Sequence, residues 1–238
     1  MTLYLIYKWL SNSFYKFCCE NVSEVVMRRQ NLWIIGLVII NVVLFFSCPV
    51  TDEAYEFDVV MIGDSITYGG DWNLLLKNEK VANLGIYGDI TDGVLNRLKD
   101  VYLLKPKICF IMIGINDLQL NRSVEDVMIN YRNIATEIKN HEIKTIIQSV
   151  LHLGEKYYIN HILGHDKNDW TNINEKIKIL NEKLEKMALE FEIEFINLND
   201  ELSINNVLLE KYGDVTGIHL SILGYEKWAE IIKPIIYK

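Results

Sequence analysis

The chain has 238 residues, half of them hydrophobic, which is enough for one sizeable domain with an appendage. Its formal net charge is −8, and because the first 50 residues carry four basic and two acidic side chains, the remainder carries −10. This acidity argues against a nucleic-acid partner, since backbone phosphates are bound by basic patches. Beyond residue 50 the only cysteine is Cys109, inside an apolar run, which excludes an internal disulfide framework in the globular part.

Residues 1–48 are interpreted as a signal or anchor segment. An apolar run at 32–46 follows a pair of arginines and precedes Cys48. It is shorter than the roughly 20 residues of a membrane-spanning helix and matches the upper end of a signal-peptide core. Read from Met27 as the true start, the segment resembles a bacterial lipoprotein signal with Cys48 as the lipidated residue. An uncleaved transmembrane helix is the alternative, and both interpretations predict an extracytoplasmic, membrane-anchored protein.

Residues 49–56 are polar and predict a linker to a domain at 57–238, where strand-like and helix-like patterns alternate. Short apolar runs predict buried strands at 59–62, 80–84, 108–113, 145–150 and 193–196. Amphipathic patterns predict helices over 72–76, from Asp89 or Thr91 to Val101, from Ser123 to Ile138, over 173–191 and over 222–232. Residues 152–171 are predicted to be irregular. This alternation predicts an α/β fold with a five-stranded parallel sheet and helices on both faces.

Helix-boundary signals accompany these patterns. Ser123 and Asp126 have the spacing of a capping box. Asp89 or Thr91 is expected to cap the helix that contains Val101, and Pro234 is expected to lie beyond the end of the last helix.

Polar or glycine-rich segments follow the first three predicted strands, at 63–65, 85–89 and 114–117. The carboxyl ends of parallel strands share one edge of the sheet, where ligands bind in open α/β folds. A fourth segment, at 216–219, immediately precedes the last helix and can reach the same edge.

Acyl transfer requires a nucleophile, a base that deprotonates it and donors for the developing oxyanion. These four segments contain one candidate for each part. Ser65 could be the nucleophile and His219 the base, while the backbone N–H groups of Ser65 and Gly88 and the amide of Asn116 could form an oxyanion hole.

The segments 63–67, 83–89, 114–117 and 217–220 resemble, in this order, the four signature blocks of the SGNH (GDSL-like) hydrolases. The resemblance extends over about residues 57–235. It implies a flavodoxin-like three-layer α/β/α fold, the catalytic and oxyanion roles just given, and no metal or organic cofactor. The first two blocks are most similar to the branch that contains lysophospholipase-type and carbohydrate O-acetylesterase members.

One position departs from the family pattern. The family usually has an aspartate three residues before the histidine, where this chain has Thr216, and the nearest carboxylate is Asp214. That aspartate orients the imidazole, and its loss in triad enzymes can reduce the rate by orders of magnitude. Three alternatives follow: Asp214 substitutes through a shifted loop, a backbone carbonyl holds a Ser–His dyad, or the activity is impaired.

The resulting prediction is a serine esterase that hydrolyses small acyl esters, acetyl esters in particular, of carbohydrates or lipids through an acyl-enzyme. Because of Thr216, a non-catalytic ligand-binding protein on the same fold is the alternative. An α/β-hydrolase is disfavoured because Ser65 lacks the G-x-S-x-G elbow, and a nucleotide site because no G-x-G-x-x-G or P-loop is present. His152, His161 and His165 have no standard metal-ligand spacing, so no metal site is predicted.

Overall fold

The computed structural model describes residues 57–156 and 167–237, the side chains of 167–171 excepted. The predictions for the segment 1–48, for Cys48 and for the linker 49–56 lie outside the described residues. Within the described ranges, no helix has both the length and the apolar character needed to cross a membrane.

Five short strands form one parallel sheet in the order β2–β1–β3–β4–β5. They are β1 (Val59–Gly63), β2 (Val81–Gly85), β3 (Ile108–Met112), β4 (Lys144–Gln148) and β5 (Glu194–Ile196). Every residue of β1 and β3 is buried, as expected for strands covered by helices on both faces. This order is that of flavodoxin-like sheets, so the predicted α/β fold with five parallel strands is confirmed.

The helices divide into two groups that pack among themselves. In chain order they are α1 (Ser65–Tyr68), α2 (Trp72–Leu76), α3 (Thr91–Asn96), α4 (Leu98–Leu104), α5 (Ile115–Gln119), α6 (Val124–Lys139), α7 (Lys167–Phe191), α8 (Asn199–Leu202) and α9 (Ile222–Ile236). Helices α3, α4, α5, α6 and α7 form one group, and α2, α8 and α9 form the other. The sheet lies between them and places the carboxyl ends of its strands at one edge.

Local sequence signals account well for α6 and α7. Ser123 accepts a hydrogen bond from the Asp126 N–H and Asp126 accepts one from the Ser123 N–H, so the predicted capping box is present. The apolar positions of α7 recur every three or four residues and are fully buried at Leu180 and Leu184. Helix α7 begins at Lys167, however, so the irregular segment predicted up to residue 171 ends earlier than expected.

The prediction of one continuous helix between Asp89 and Val101 is wrong. The structure has two helices, α3 and α4, which meet at Arg97. Neither Asp89 nor Thr91 caps α3, because its N-cap residue is Ile90, which makes no side-chain cap. The Asp89 carboxylate pairs with the Arg97 guanidinium instead, and Arg97, with a φ of −115° and a ψ of 16°, has a non-helical backbone between the two helices.

The prediction that Pro234 lies beyond the last helix is also wrong, since α9 continues through it to Ile236. Proline removes one backbone donor, but Ile235 and Ile236 still pack against the core. The Tyr237 hydroxyl donates to the Leu76 carbonyl at 2.6 Å, which further holds this end. A short hairpin, β6 (Ser203–Ile204) with β7 (Val207–Leu208), precedes the histidine-bearing loop and was not predicted.

Candidate active site

Ser65 stands where β1 leaves the sheet. Asp64 is the N-cap residue of α1, and its carboxylate accepts a hydrogen bond from the Ile66 N–H at 2.9 Å. Ser65 is the first helical residue, so its own N–H has no partner within the helix. Burial raises the pKa of Asp64 to about 7, because desolvation disfavours its charged form. The strand end thus presents a hydroxyl and an unpaired backbone donor together.

The turn is possible because Gly63 has no side chain. A Cβ at this position would stand 2.2 Å from the carbonyl oxygen of Met112, at the end of β3. The backbone of β1 therefore approaches β3 as closely as only glycine allows. Ser65 is 8% exposed, so its hydroxyl is reached from the edge of the sheet.

The second loop brings Gly88 to the same edge. The Ile86 N–H donates to the Gly63 carbonyl at 3.0 Å, which joins this loop to the end of β1. Gly88 has a φ of +69°, a left-handed conformation that side chains rarely adopt. No atom beyond its chain neighbours lies within 4 Å of the position that a Cβ would occupy, so Gly88 faces open space.

Asn116 is tied to that loop. It lies in α5, which begins one residue after Gly114, and its side-chain Nδ2 donates to the Asp89 carbonyl at 2.8 Å. An amide nitrogen carries two hydrogens, so this bond orients the group and leaves one hydrogen for another acceptor. The three proposed oxyanion donors therefore lie at the start of α1, in the loop after β2 and in α5, and hydrogen bonds connect these segments.

The guanidinium of Arg97 connects segments at this edge through hydrogen bonds. Arg97 donates to the Asp89 carboxylate at 2.7 and 2.9 Å, to the Leu84 carbonyl at 2.7 Å and to the Gly63 carbonyl at 3.0 Å. It thus links the ends of β1 and β2 to the loop that carries Gly88. Its predicted place in a continuous helix gave no sign of this contact.

A second polar network lies under Asn116. The fully buried Asp117 accepts hydrogen bonds from the Thr91 N–H at 3.0 Å, the Thr91 hydroxyl at 2.7 Å and Arg122 at 3.0 Å. Burial raises the pKa of Asp117, while its hydrogen bonds to Thr91 oppose that shift. Arg122 also pairs with Asp92, whose pKa this hydrogen bond lowers. The network anchors α5 to the start of α3.

His219 meets Ser65 across the edge of the sheet. The distance from His219 Nε2 to Ser65 Oγ is 3.0 Å, which is hydrogen-bond range for a general base and its nucleophile. The histidine lies in a loop closed by an antiparallel bridge between Gly213 and Leu220, and the Asp214 N–H donates to the His219 carbonyl at 2.9 Å. The two candidates that lie farthest apart in sequence are therefore in direct contact.

The other ring nitrogen of His219 contacts a hydroxyl. Thr216 Oγ1 lies 3.2 Å from His219 Nδ1, and it also donates to Asp214 Oδ1 at 2.5 Å. The partner of the imidazole is therefore neither the Asp214 carboxylate itself nor a backbone carbonyl, the two arrangements considered from sequence. In the sequence Thr216 is a departure from the family pattern, and its hydroxyl and its spacing of three residues from His219 are the signals that point to this contact.

His152 is the other histidine at this edge of the sheet in the described part of the chain. It follows β4, is 6% exposed, and its ring nitrogens have no hydrogen-bond partner among the described residues. Burial lowers the pKa of His152 to about 4. His161 and His165 lie outside the described residues, and those described include no group of three or more His, Cys, Asp or Glu side chains arranged to hold a metal.

A cavity of about 410 Å³ borders the histidine loop. Its walls include Gly154, Leu208, Asp214 and Gly217, and the described residues lining it do not include Ser65. Ser65 therefore lies outside this cavity, whose wall includes the histidine loop. A serine activated by an imidazole, next to several hydrogen-bond donors, can carry out acyl transfer.

Comparisons with known proteins agree with this chemistry. Residues 61–227 match the model of the GDSL-like Lipase/Acylhydrolase family. No curated protein matches the chain. Three solved structures are similar to it: a protein from Streptococcus pneumonia provisionally described as a platelet activating factor, a GDSL-like lipase from Bacteroides thetaiotaomicron and a lipase/acylhydrolase from Enterococcus faecalis.

The similarity extends over most of each chain. For the Streptococcus protein the identity is 24% and the TM-score 0.66, covering 79% of this chain and 87% of that one, which supports the fold alone. The Bacteroides lipase has 26% identity and a TM-score of 0.63, with 75% and 86% covered. The Enterococcus protein has 25% identity and a TM-score of 0.57, with 76% and 95% covered.

Proposed function

Because this chain belongs to the GDSL-like lipase/acylhydrolase family and is an ester hydrolase, we propose that it is a serine esterase acting through an acyl-enzyme. Its substrates are small acyl esters, acetyl esters in particular, of carbohydrates or lipids. The single observation that carries the proposal is the 3.0 Å contact between Ser65 Oγ and His219 Nε2.

The mechanism assigns one step to each group. His219 Nε2 takes the proton from Ser65 Oγ as the oxygen attacks the ester carbonyl. The N–H groups of Ser65 and Gly88 and the amide of Asn116 stabilise the oxyanion of the tetrahedral intermediate. Its collapse forms the Ser65 ester, and the alcohol leaves with the proton that His219 returns. Water, deprotonated by His219, then attacks the acyl-enzyme. The acyl–Oγ bond breaks, Ser65 Oγ takes that proton back from His219, and the acid is released.

The surface around the oxyanion loop supports an amphiphilic alcohol part. Tyr68 ends α1, which begins at Ser65, and Tyr87 directly precedes Gly88. Their ring centroids are 4.6 Å apart, and both side chains are more than half exposed. Exposed aromatic rings of this kind offer an apolar face with a polar tip, on which a sugar ring or a lipid glycerol could pack. No described side chain is needed to bind a metal in this mechanism.

A series of p-nitrophenyl esters tests the proposal. We expect kcat/KM for the acetate to exceed that for the octanoate by at least about tenfold, and Ser65→Ala to lose about a thousandfold or more. Ser123→Ala, the same change at the remote α6 capping box, is the matched control and should keep full activity. If wild type and Ser65→Ala hydrolyse every ester equally poorly, the non-catalytic binding protein replaces the esterase. A preference for octanoate would contradict the acyl size.

The membrane anchor remains a separate proposal. Its support is the sequence alone: the apolar run at 32–46 between a basic pair and Cys48. If Cys48 carries a lipid, Cys48→Ser should move the protein from the membrane fraction to the soluble fraction. Unchanged fractionation would favour a spanning helix, and a wild-type protein that is soluble would contradict both forms of anchoring.

A further inference from the structure

Thr216 occupies the position of the family aspartate and makes contacts on both sides. Its hydroxyl oxygen is 2.5 Å from Asp214 Oδ1 and 3.2 Å from His219 Nδ1. With the 3.0 Å contact from His219 Nε2 to Ser65 Oγ, the four side chains form one continuous hydrogen-bonded chain. A threonine hydroxyl is neutral, so by itself it would place no charge near the imidazole. Here the hydroxyl is hydrogen-bonded to the Asp214 carboxylate, which is charged.

The direction of each hydrogen bond follows from the number of protons. A carboxylate can only accept, so the single hydroxyl proton of Thr216 is donated to Asp214. Thr216 Oγ1 then faces its neighbours as an acceptor, consistent with the N–H groups of Ile218 and His219 that point to it at 3.2 and 3.3 Å. The contact with the imidazole must therefore be an Nδ1–H donated to Thr216.

This assignment determines the tautomer of His219. A neutral imidazole with its proton on Nδ1 has its lone pair on Nε2, and Nε2 is the nitrogen that faces Ser65 Oγ. The lone pair is therefore placed to remove the serine proton. The same geometry with Nδ1 unprotonated would present an N–H to Ser65 and would leave no base.

The loop holds Asp214 and Thr216 in this relation through its backbone. The Asp214 carboxylate also accepts hydrogen bonds from the N–H groups of Thr216 at 2.8 Å and Gly217 at 3.2 Å. Gly217 has a φ of +72°, which lets the chain reverse within the loop, and its carbonyl accepts a hydrogen bond from the Gly154 N–H at 2.7 Å. The carboxylate is thus fixed before any imidazolium forms.

We propose that Thr216 is a positioning residue whose hydroxyl couples the Asp214 carboxylate to His219. It replaces the direct carboxylate–imidazole contact with a relay of two hydrogen bonds, and it fixes the Nδ1–H tautomer of the base. The inference rests on the proposed function for its effect on rate, but its effect on the tautomer does not depend on any substrate.

Side-chain exchange tests the kinetic part in the full chain. Thr216→Val keeps the shape of the side chain and removes the hydroxyl, and we expect kcat to fall about a hundredfold with KM changed by less than about threefold. Thr216→Ser keeps the hydroxyl and should stay within about threefold of wild type. The matched control is Thr136→Val on the exposed face of α6, where the hydroxyl contacts only its own helix, and it should leave kcat unchanged.

A double-mutant cycle distinguishes a relay from two independent effects. Asp214→Asn alone should lower kcat, and Asp214→Asn with Thr216→Val should be no worse than the poorer single variant by more than about threefold. If the two losses multiply, or if Thr216→Val keeps wild-type kcat, the relay is wrong.

Imidazole ¹⁵N spectra of histidine-labelled protein provide a readout that does not need activity. In the wild type we expect His219 to be the Nδ1–H tautomer, and in Thr216→Val a mixture that includes Nε2–H. An Nε2–H tautomer in the wild type, or an unchanged spectrum in Thr216→Val, would overturn the proposal. A wild type without esterase activity would contradict the proposed function, but the spectra would still show whether Thr216 sets the tautomer of His219.

Discussion

The Ser65 side and the His219 side of the site are held by hydrogen bonds of different range. On the Ser65 side, Arg97 reaches the Gly63 carbonyl 34 positions away, and Thr91 reaches Asp117 across 26 positions. On the His219 side, the bonds that orient the imidazole join residues two or three positions apart. The contact between Ser65 Oγ and His219 Nε2 connects the two sides at the proposed nucleophile and base.

This difference separates stability from catalysis. The long-range bonds of the Ser65 side hold together the ends of β1 and β2 and the start of α3, so breaking them should destabilise the whole domain. The short-range bonds of the histidine loop orient one ring, so breaking them should reduce the rate with little effect on unfolding. Variants on each side therefore test whether stability and catalysis depend on different hydrogen bonds.

The largest loss of stability is expected from Arg97→Met. This change leaves the Asp89 carboxylate and the carbonyls of Gly63 and Leu84 without their common donor, in a place where both charged side chains are largely buried. Removing one partner of a buried ion pair costs about 3–5 kcal/mol. Urea unfolding of the full chain measures it. Arg97→Lys keeps the charge but cannot reach all three acceptors, so its unfolding free energy should lie between those of wild type and Arg97→Met. A loss below about 1 kcal/mol in Arg97→Met would show that these long-range bonds do not dominate the stability of the domain.

His219 and His152, the two described histidines at the edge of the sheet that carries Ser65, differ in their hydrogen bonds, and the dependence of stability on pH tests that difference. His219 has a hydrogen-bond partner on each ring nitrogen, whereas His152 is buried without one among the described residues and has a pKa of about 4. Between pH 6.5 and 4 the unfolded chain binds a proton at this residue and the folded chain does not. Stability should therefore fall as the pH is lowered through this range, by about 3 kcal/mol in total, and should not change from this source above pH 7.

Comparing unfolding free energies of wild type and His152→Leu at pH 7 and pH 4.5 isolates this effect. The acid-induced loss should shrink in His152→Leu. It should persist in His141→Gln, a change at an exposed histidine on the opposite end of α6 from Ser123. Equal losses in wild type and His152→Leu would show that the buried ring is not the source.

Tyr225→Phe tests a bond between the two sides. The Tyr225 hydroxyl donates to the Ile66 carbonyl at 2.8 Å, which joins α9, just after His219, to the helix that carries Ser65. Losing it should cost about 1 kcal/mol of stability, and kcat/KM should fall by less than about tenfold because the remaining contacts still align the pair. Thermal unfolding and ester hydrolysis measure the two effects; a loss of activity as large as that of Thr216→Val would show that this bond, rather than the loop, positions His219.

The smallest effect is expected at the capping box of α6. Ser123→Ala should cost about 1 kcal/mol by removing the side-chain acceptor of the Asp126 N–H, with no change in kcat. Urea unfolding and the acetate assay check both. A change in kcat would mean that the start of α6 influences the site, although within the described part of the chain the hydrogen bonds of the Ser123 and Asp126 side chains join these two residues only to each other.

Much of the fold could be predicted from the sequence because its signals are local. The apolar runs of β1 and β3, the Ser123–Asp126 pair and the spacing of apolar positions in α7 each depend on neighbours a few residues away. The parallel direction of the strands follows from their alternation with helices. Local signals do not predict the break between α3 and α4 at Arg97, whose side chain also contacts the Leu84 and Gly63 carbonyls 13 and 34 positions away.

For the site, the sequence alone identifies the family blocks and so the residues to which the proposed mechanism assigns roles: Ser65, Gly88, Asn116 and His219. Only the tertiary structure decided how they are held, because the direction of a side chain and its hydrogen-bond partner depend on packing and not on spacing. Two such contacts are visible only in the folded structure. Arg97 joins the ends of β1 and β2, and Thr216 lies between Asp214 and the imidazole of His219. Sequence spacing limits which residues can meet, but the geometry of each proton donor and acceptor is fixed only when the chain is folded.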